Sequence, residues 1–421
     1  MATYSNSSSK PARSNVSITV PSEWSQRKII EFSENILTEH KRHSDYLDKM
    51  EVIDVAYARY QANKDPNTGV VKGQGVDAAT TPVGAMNLPS TVPPVVISQV
   101  DSMVAYLADV FLSGSPLFPM VSRPEDRLDA EGLESLIDDH SVLGGYARQL
   151  LMFFRDGVKY NFSAIETDWS SVDQYTLPSL LAENSKSLVK NSTSFTKLKR
   201  WDPYNTIWDH NVAPGDLALD GDYAGHIEIM SYTKLKRLLV RLSAEGEVIN
   251  AREALGAALT NVSASSVNYR LHPQISDYIA ARKPETSVNY YTWMTGRESG
   301  KDNSKVCVGN YEVFTLYARI MPSQFRLSGS ESKTPQIWKL RIVNGKYLVS
   351  AKRIVSAFEY LPVLFGQPLE DGLGYQTQSM AESNIPFQSA ATTLMNIRFN
   401  AARRAVSDRA LYDSDLISKA D

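Results

Sequence analysis

At Tyr160 the spacing of apolar residues changes from near four to two, and near Thr377 it changes back. No chain with that pattern can be all-helical or all-strand, because the two periods belong to different backbones. Before the switch the pattern is helical. From Ser22 to about Gln61, Ile29, Ile30, Ile36, Leu37, Leu47, Met50 and Ile53 recur at three-to-four spacing, with Ser22 placed as N-cap and a break expected near His43 to Asp45. Pro93-Pro94 opens a second helix with a stripe of Val96, Val100, Val104, Leu107 and Phe111, Met103 beside it, and Gly114 and Pro116 to stop it. A third helical stretch runs from about Pro124 to Gly157 through Leu133, Leu136, Ile137, Leu150, Leu151 and Phe154, interrupted at Gly144-Gly145.

After the switch, Phe162, Ala164, Glu166 and Asp168 alternate with Ser163, Ile165, Thr167 and Trp169, as in a strand at a sheet edge or over a partner. Thr233 is placed as the cap of a helix through Leu235, Leu238, Leu239 and Leu242, and another is expected from about Glu247 to Leu259. Phe314, Leu316, Ala318 and Ile320 alternate with Val313, Thr315, Tyr317 and Arg319. Asn344-Gly345 joins Gln336–Val343 to Lys346–Ile354 as a hairpin, since both turn positions need positive φ. A last helix is expected from about Thr377 to Arg409, with Pro386 kinking it or marking its start. The expected fold class is therefore α+β, with a mainly helical N-terminal part, a β-rich domain and a long C-terminal helix.

The chain's 421 residues suggest two or three domains at roughly 150 residues each. Cys307 is the single cysteine, which excludes an intrachain disulfide and a four-cysteine zinc module; a buried place in a strand is expected for it. With 44 basic and 47 acidic side chains, the net charge of -3 argues against tight phosphate gripping, so any DNA partner would slide past. Met1 to Asn15 lacks an apolar signal core and reads as a flexible arm, and no apolar run is expected to approach the ~18 residues of a membrane span.

Candidate chemistry is sparse. Asp209, His210, Asp216, Asp220, Asp222 and His226 form the densest set of potential metal ligands, but from Asp220 the calcium-loop positions fall on Ala224 and Ser231. Such a loop reads first as turn chemistry. Gly69, Gly73 and Gly75 lack the Gly-Lys-Ser/Thr of a phosphate loop. No catalytic residue, cofactor or metal is expected, and the chain is read as a non-enzyme. Arg398, Arg403, Arg404 and Arg409 on the last helix are candidates for subunit contacts or DNA contacts, with subunit contacts favoured; Arg403 and Arg404 are adjacent and cannot share a face.

Four stretches, in order, resemble a tailed-bacteriophage portal protein (head-to-tail connector) of the podovirus type. They are Pro93 to Pro116 with the helix Asp129–Asp156 and the strand Phe162–Trp169; Trp201-Asp202-Pro203-Tyr204-Asn205 with Trp208-Asp209, Asp216 to Asp222 and Tyr232-Thr233-Lys234-Leu235; the strands around Tyr311 to Ile354 passing into Tyr360-Leu361-Pro362-Val363; and Gly366-Gln367-Pro368 through Gly374-Tyr375 into a helix with Gln378, Asn384, Asn396 and Asn400. One departure is Trp208-Asp209-His210-Asn211, where the family pattern often has proline after the aspartate.

The resemblance implies a ring, commonly a dodecamer, at one capsid vertex. It would contact the major capsid protein, the terminase packaging motor, tail adaptor proteins and double-stranded DNA without sequence specificity, in a virion assembled in the host cytoplasm, with no membrane. It implies a 1–20 arm, a 21–92 helix and extended loop, a 93–370 wing domain, a 371–409 stem helix and a 410–421 start of the clip or a truncated end. The chain stops at Asp421, before a second stem helix, channel loop or crown, so a truncated sequence or a short variant is expected; alternatively the sheet at 306–354 is itself the clip. The other functional readings are a different capsid-associated or tail-adaptor structural protein, and a metal-dependent hydrolase acting through Asp209, His210, Asp220 and Asp222.

Overall fold

Ser22 starts the first helix as its spacing predicts. Its hydroxyl accepts the Ser25 backbone N–H at 3.3 Å, and α1 (Glu23–Arg42) follows. The helix stops at His43 and α2 (Asp45–Tyr57) resumes, so the expected break is found. The computed structural model describes residues 21–43, 45–57, 92–114, 116–121, 130–176, 189–244, 248–256, 310–327, 334–355, 359–370 and 378–406. The glycines at 69, 73 and 75, Cys307 and Arg409 lie outside them, as do the arm up to residue 20 and residues 407–421.

Pro93 and Pro94 precede the first turn of α3 (Val95–Leu112) rather than entering it, with Pro94 as the cap residue. Val96, Val100 and Val104 are buried as the stripe requires, but Phe111 and Met103 are exposed. Gly145, at φ +63°, separates α4 (Ala130–Gly144) from α5 (Tyr146–Tyr160), a backbone turn that a β-carbon would strain.

β1 (Ser163–Thr176) is the middle strand of a three-stranded antiparallel sheet, between β2 (Val189–Arg200) and a later strand, Val363–Gly366. The edge placement is thereby corrected, while packing over a partner holds. A single 3-10 turn at Pro203–Asn205, capped by the Asp202 carboxylate, leads into β3 (Thr206–Trp208). Then come α6 (Leu217–Asp220), β4 (Tyr223–Ser231), α7 (Tyr232–Ala244), α8 (Ala251–Gly256), β5 (Asn310–Ile320), α9 (Pro322–Phe325), β6 (Gln336–Val343), β7 (Tyr347–Arg353), β8 (Val363–Gly366) and α10 (Met380–Val406). The Ser231 hydroxyl, not Thr233, accepts the N–H of the first turn of α7, from Lys234. Strands β3-β4-β5-β6-β7 make a second antiparallel sheet in that order.

The two sheets meet across Phe162, Trp201, Trp208, Tyr317 and Phe365, where the Trp208 and Phe162 rings lie 4.3 Å apart. Trp201 and Trp208, conspicuous in the sequence, are thus core residues. On the other face of the second sheet, Ile29 and Ile36 of α1 pack on Phe314, Leu316 and Leu340. Both alternating sets of β5 are therefore buried. Helices α7 and α8 cover Tyr311, Val313 and Val343. A separate helical layer of α2, α3, α5 and α10 closes on Val96, Val100, Val104, Val158 and Ala381. Each fully buried valine contributes about 2 kcal/mol. The fold is a mixed α+β arrangement, as the changing period requires.

The start of α10 is held from its flank. The Ser379 hydroxyl accepts the Glu382 N–H at 3.0 Å, and Pro386 lies inside the helix, so it does not mark the start. Buried Gln388 donates to the Ala56 carbonyl at 2.8 Å and accepts the Val96 N–H at 3.0 Å. One amide thus serves the last turn of α2 and the first of α3.

Asn344 and Gly345 have φ of 53° and 65°, as the hairpin demands. Asn344 also accepts the Glu312 N–H through its side chain at 2.9 Å. Gly345→Ala is expected to lower stability by about 1 kcal/mol, and Asn344→Ala by about 1–2 kcal/mol because it also loses that bond. Urea unfolding midpoints measure both; equal, negligible shifts would count against the turn as a register lock.

Candidate functional site: an uncovered helical surface over a buried polar core

In the loop that carries the metal-ligand candidates, Asp209 serves the turn. Asp209 is buried; one carboxylate oxygen accepts from the Asn211 backbone at 3.0 Å and side chain at 2.9 Å, the other from the Asp222 N–H at 3.2 Å. Asp216 precedes α6 and Asp220 ends it. His226 points elsewhere, stacked on Trp201 at 4.7 Å with the Lys199 ammonium at 2.9 Å. Among the described residues no group of three His, Cys, Asp or Glu is disposed to hold a metal ion.

His210 joins residues far away in the chain. Its Nε2 lies 2.8 Å from His40 Nδ1, the other nitrogen of His40 lies 2.8 Å from the Tyr46 hydroxyl, and the His210 ring is 4.6 Å from that of His43. Burial, then repulsion from His210 and His43, pushes the His40 pKa down to about 3. Burial and His43 likewise bring His210 down to about 4, against the pull of Asp209. His40 and His210 are neutral at physiological pH, and the cluster binds the α1–α2 junction to the end of β3.

A second polar group, which the sequence reading missed, lies between the sheets. Glu166 of β1 is 2% exposed. Its carboxylate accepts the Trp201 indole N–H at 2.9 Å, the Lys339 ammonium at 2.9 Å and the Tyr317 hydroxyl. Burial opposes its charge, but Lys339, His226, Lys199 and the Tyr317 hydroxyl outweigh burial and hold its pKa well below the usual carboxylate range. Nearby, Lys199 and Lys234 both pair with Glu228, and Arg200 of β2 grips Asp156 of α5. Asp54 of α2 accepts from Tyr160 and Tyr204 and pairs with Lys159. Each group ties two layers together. The only sequence signal was the alternation that put Glu166 on one face with Phe162 and Ala164.

The outer surface is different. On α10, Leu394 is 63% and Ile397 58% exposed, and Phe387 is exposed seven residues before Leu394. Met395 and Phe399 lie seven and eleven residues beyond buried Gln388, on the side that packs upstream, and they too are exposed. The helix keeps its apolar face beyond the body that covers it. On α4, Leu133, Leu136, His140 and Leu143 form one stripe, with Leu136 and Leu143 exposed, and exposed Trp169 of β1 meets the His140 ring edge-on at 5.9 Å. Tyr106, Val110 and Phe111 on α3 are also exposed. Exposed apolar patches of this kind mark interaction surfaces.

α3 is long and apolar enough, by length and composition, to cross a membrane, and only 17% of it is buried. This corrects the expectation that no apolar run approaches that length: Ser98, Gln99, Asp101 and Ser102 interrupt the stretch but leave its average apolar. In the fold, α3 packs on α5 and α10, and Asp101 meets the Tyr57 hydroxyl at 3.2 Å and Arg155 at 3.4 Å.

Of the arginines singled out, Arg398 is exposed on α10 beside Ile397, and Arg403 and Arg404 continue the same helix. No protein-family model and no curated protein matches the chain.

Proposed function

We propose that this chain is a structural ring subunit of the portal type, acting by enclosing a channel for DNA rather than by making or breaking bonds. The observation that carries the reading is the apolar surface of α10 and α4, which stands exposed among the described residues. Leaving several large apolar side chains in water costs about 1.5–3 kcal/mol each relative to burial, so a second surface is the natural partner. A ring repeats one heterologous contact until it closes, and this needs two different faces per subunit.

On this reading residues 93–370 are the wing and 371–409 the stem helix, with Arg398, Arg403, Arg404 and Arg409 at subunit contacts before DNA contacts. The net charge of -3 suits a channel whose wall must let a polyanion pass, because each phosphate contact adds affinity and friction. The terminase motor, tail adaptors and capsid protein would dock on the ring, within a virion. Negative-stain microscopy of the purified chain is expected to show rings with a central hole, and native mass measurement a single high multiple of the subunit mass. A monodisperse monomer at high concentration would overturn the reading.

A further inference from the structure

We propose that the exposed stripe of α10 in one copy docks on the α4–Trp169 surface of the next copy. This rests on the ring reading and specifies which faces mate. The two surfaces sit on different elements: α10 packs within the helical layer with α2, α3 and α5, whereas α4 packs on β2 and α5. They are also opposite in charge. Beyond Glu382, α10 carries no acidic residue and three arginines, Arg398, Arg403 and Arg404. α4 carries Glu131, Glu134, Asp138 and Asp139 with no lysine or arginine.

Apolar groups and charge are arranged alike on both sides. Leu394 and Ile397 are bordered by exposed Arg398, and Leu136 and Leu143 by exposed Asp139. Trp169, 57% exposed against His140, supplies a large flat anchor of the kind that dominates interface energetics. Two copies of the α4 surface would set acid against acid, and two of the α10 stripe arginine against arginine. Like pairing is disfavoured and unlike pairing favoured, so the contact runs head to tail. A single such contact leaves the α4 surface of one copy and the α10 stripe of the other free, so assembly continues until those free faces meet.

The test uses two variants of the full chain. Leu394→Asp with Ile397→Asp removes one face, and Leu136→Asp with Leu143→Asp removes the other. Each variant alone is expected to be monomeric by sedimentation, with a circular dichroism spectrum like that of the wild type. An equimolar mixture is expected to form 1:1 dimers with rising concentration and nothing larger, since the intact face of each meets the intact face of the other.

A finer test swaps charge: Arg398→Glu or Asp139→Arg alone is expected to weaken assembly about three- to fivefold, and both together in one chain to restore it. Rings that survive the α4 substitutions, or a mixture that stays monomeric, would overturn this pairing while leaving the ring reading intact. A monomeric wild type would overturn the ring reading itself. Flotation of the monomeric wild type with phosphatidylcholine vesicles, abolished by the α10 substitutions, would assign the stripe to a lipid surface and overturn the pairing.

Discussion

Replacing Glu166 with alanine is expected to lower the unfolding free energy by about 3–5 kcal/mol. Truncation strands the Lys339 ammonium, whose side chain is 8% exposed, between two sheets with its main counter-charge gone. It also leaves the Trp201 indole N–H and the Tyr317 hydroxyl without their shared acceptor. The cost comes from desolvated groups left unmatched, not from the loss of one attractive pair. Lys339→Met alone is therefore expected to be harmful as well, while Glu166→Leu with Lys339→Met recovers much of the loss by removing both charges. Urea unfolding of the four proteins checks this. A change under about 1 kcal/mol for Glu166→Ala would mean that water reaches the carboxylate and the clamp is not dry.

Acidification is expected to destabilise the fold before Glu166 and Glu228 titrate, with Asp156, which burial pushes up to about 6, working the other way. In the unfolded chain His40 takes up a proton near pH 6.5; in the fold its pKa is down to about 3. Between those values the unfolded state binds a proton that the folded state refuses, so stability falls as the pH drops below 6.5. One such group is worth about 2 kcal/mol by pH 5. His226, held low by burial and by Lys199, acts in the same direction.

Glu166 and Glu228 add to this lower down. Their folded pKa values are depressed from 4.5, so the stability they contribute is present above that value and lost as the pH falls further. Unfolding midpoints measured from pH 7.5 to 5 should show the slope, and His40→Gln, which keeps hydrogen-bonding capacity without titrating, should flatten it. An identical slope in the variant would place the titration elsewhere.

These two groups also show where sequence reading ends. The helices α1, α2, α4 and α5, the Ser22 cap, the Asn344-Gly345 turn and β1 are legible because period, capping and positive φ are local properties. The burial of Glu166 was not legible. Alternation put it opposite Ile165, but nothing local says that its face meets another sheet instead of solvent. His40 and His210 stand 170 residues apart, so only folding brings them together. The Asp209–Asp222 loop was singled out for its density of ligand types, and there Asp209 proved to hold the loop's own backbone.

The sequence by itself determined where the chain is helical and where it is extended, and that the whole is α+β, because each side chain biases its own few dihedrals. Tertiary structure alone decided which faces are covered. Valines on α3 lie buried at one end and exposed at the other, for burial belongs to what packs opposite, and a one-dimensional pattern carries no record of its neighbours in space.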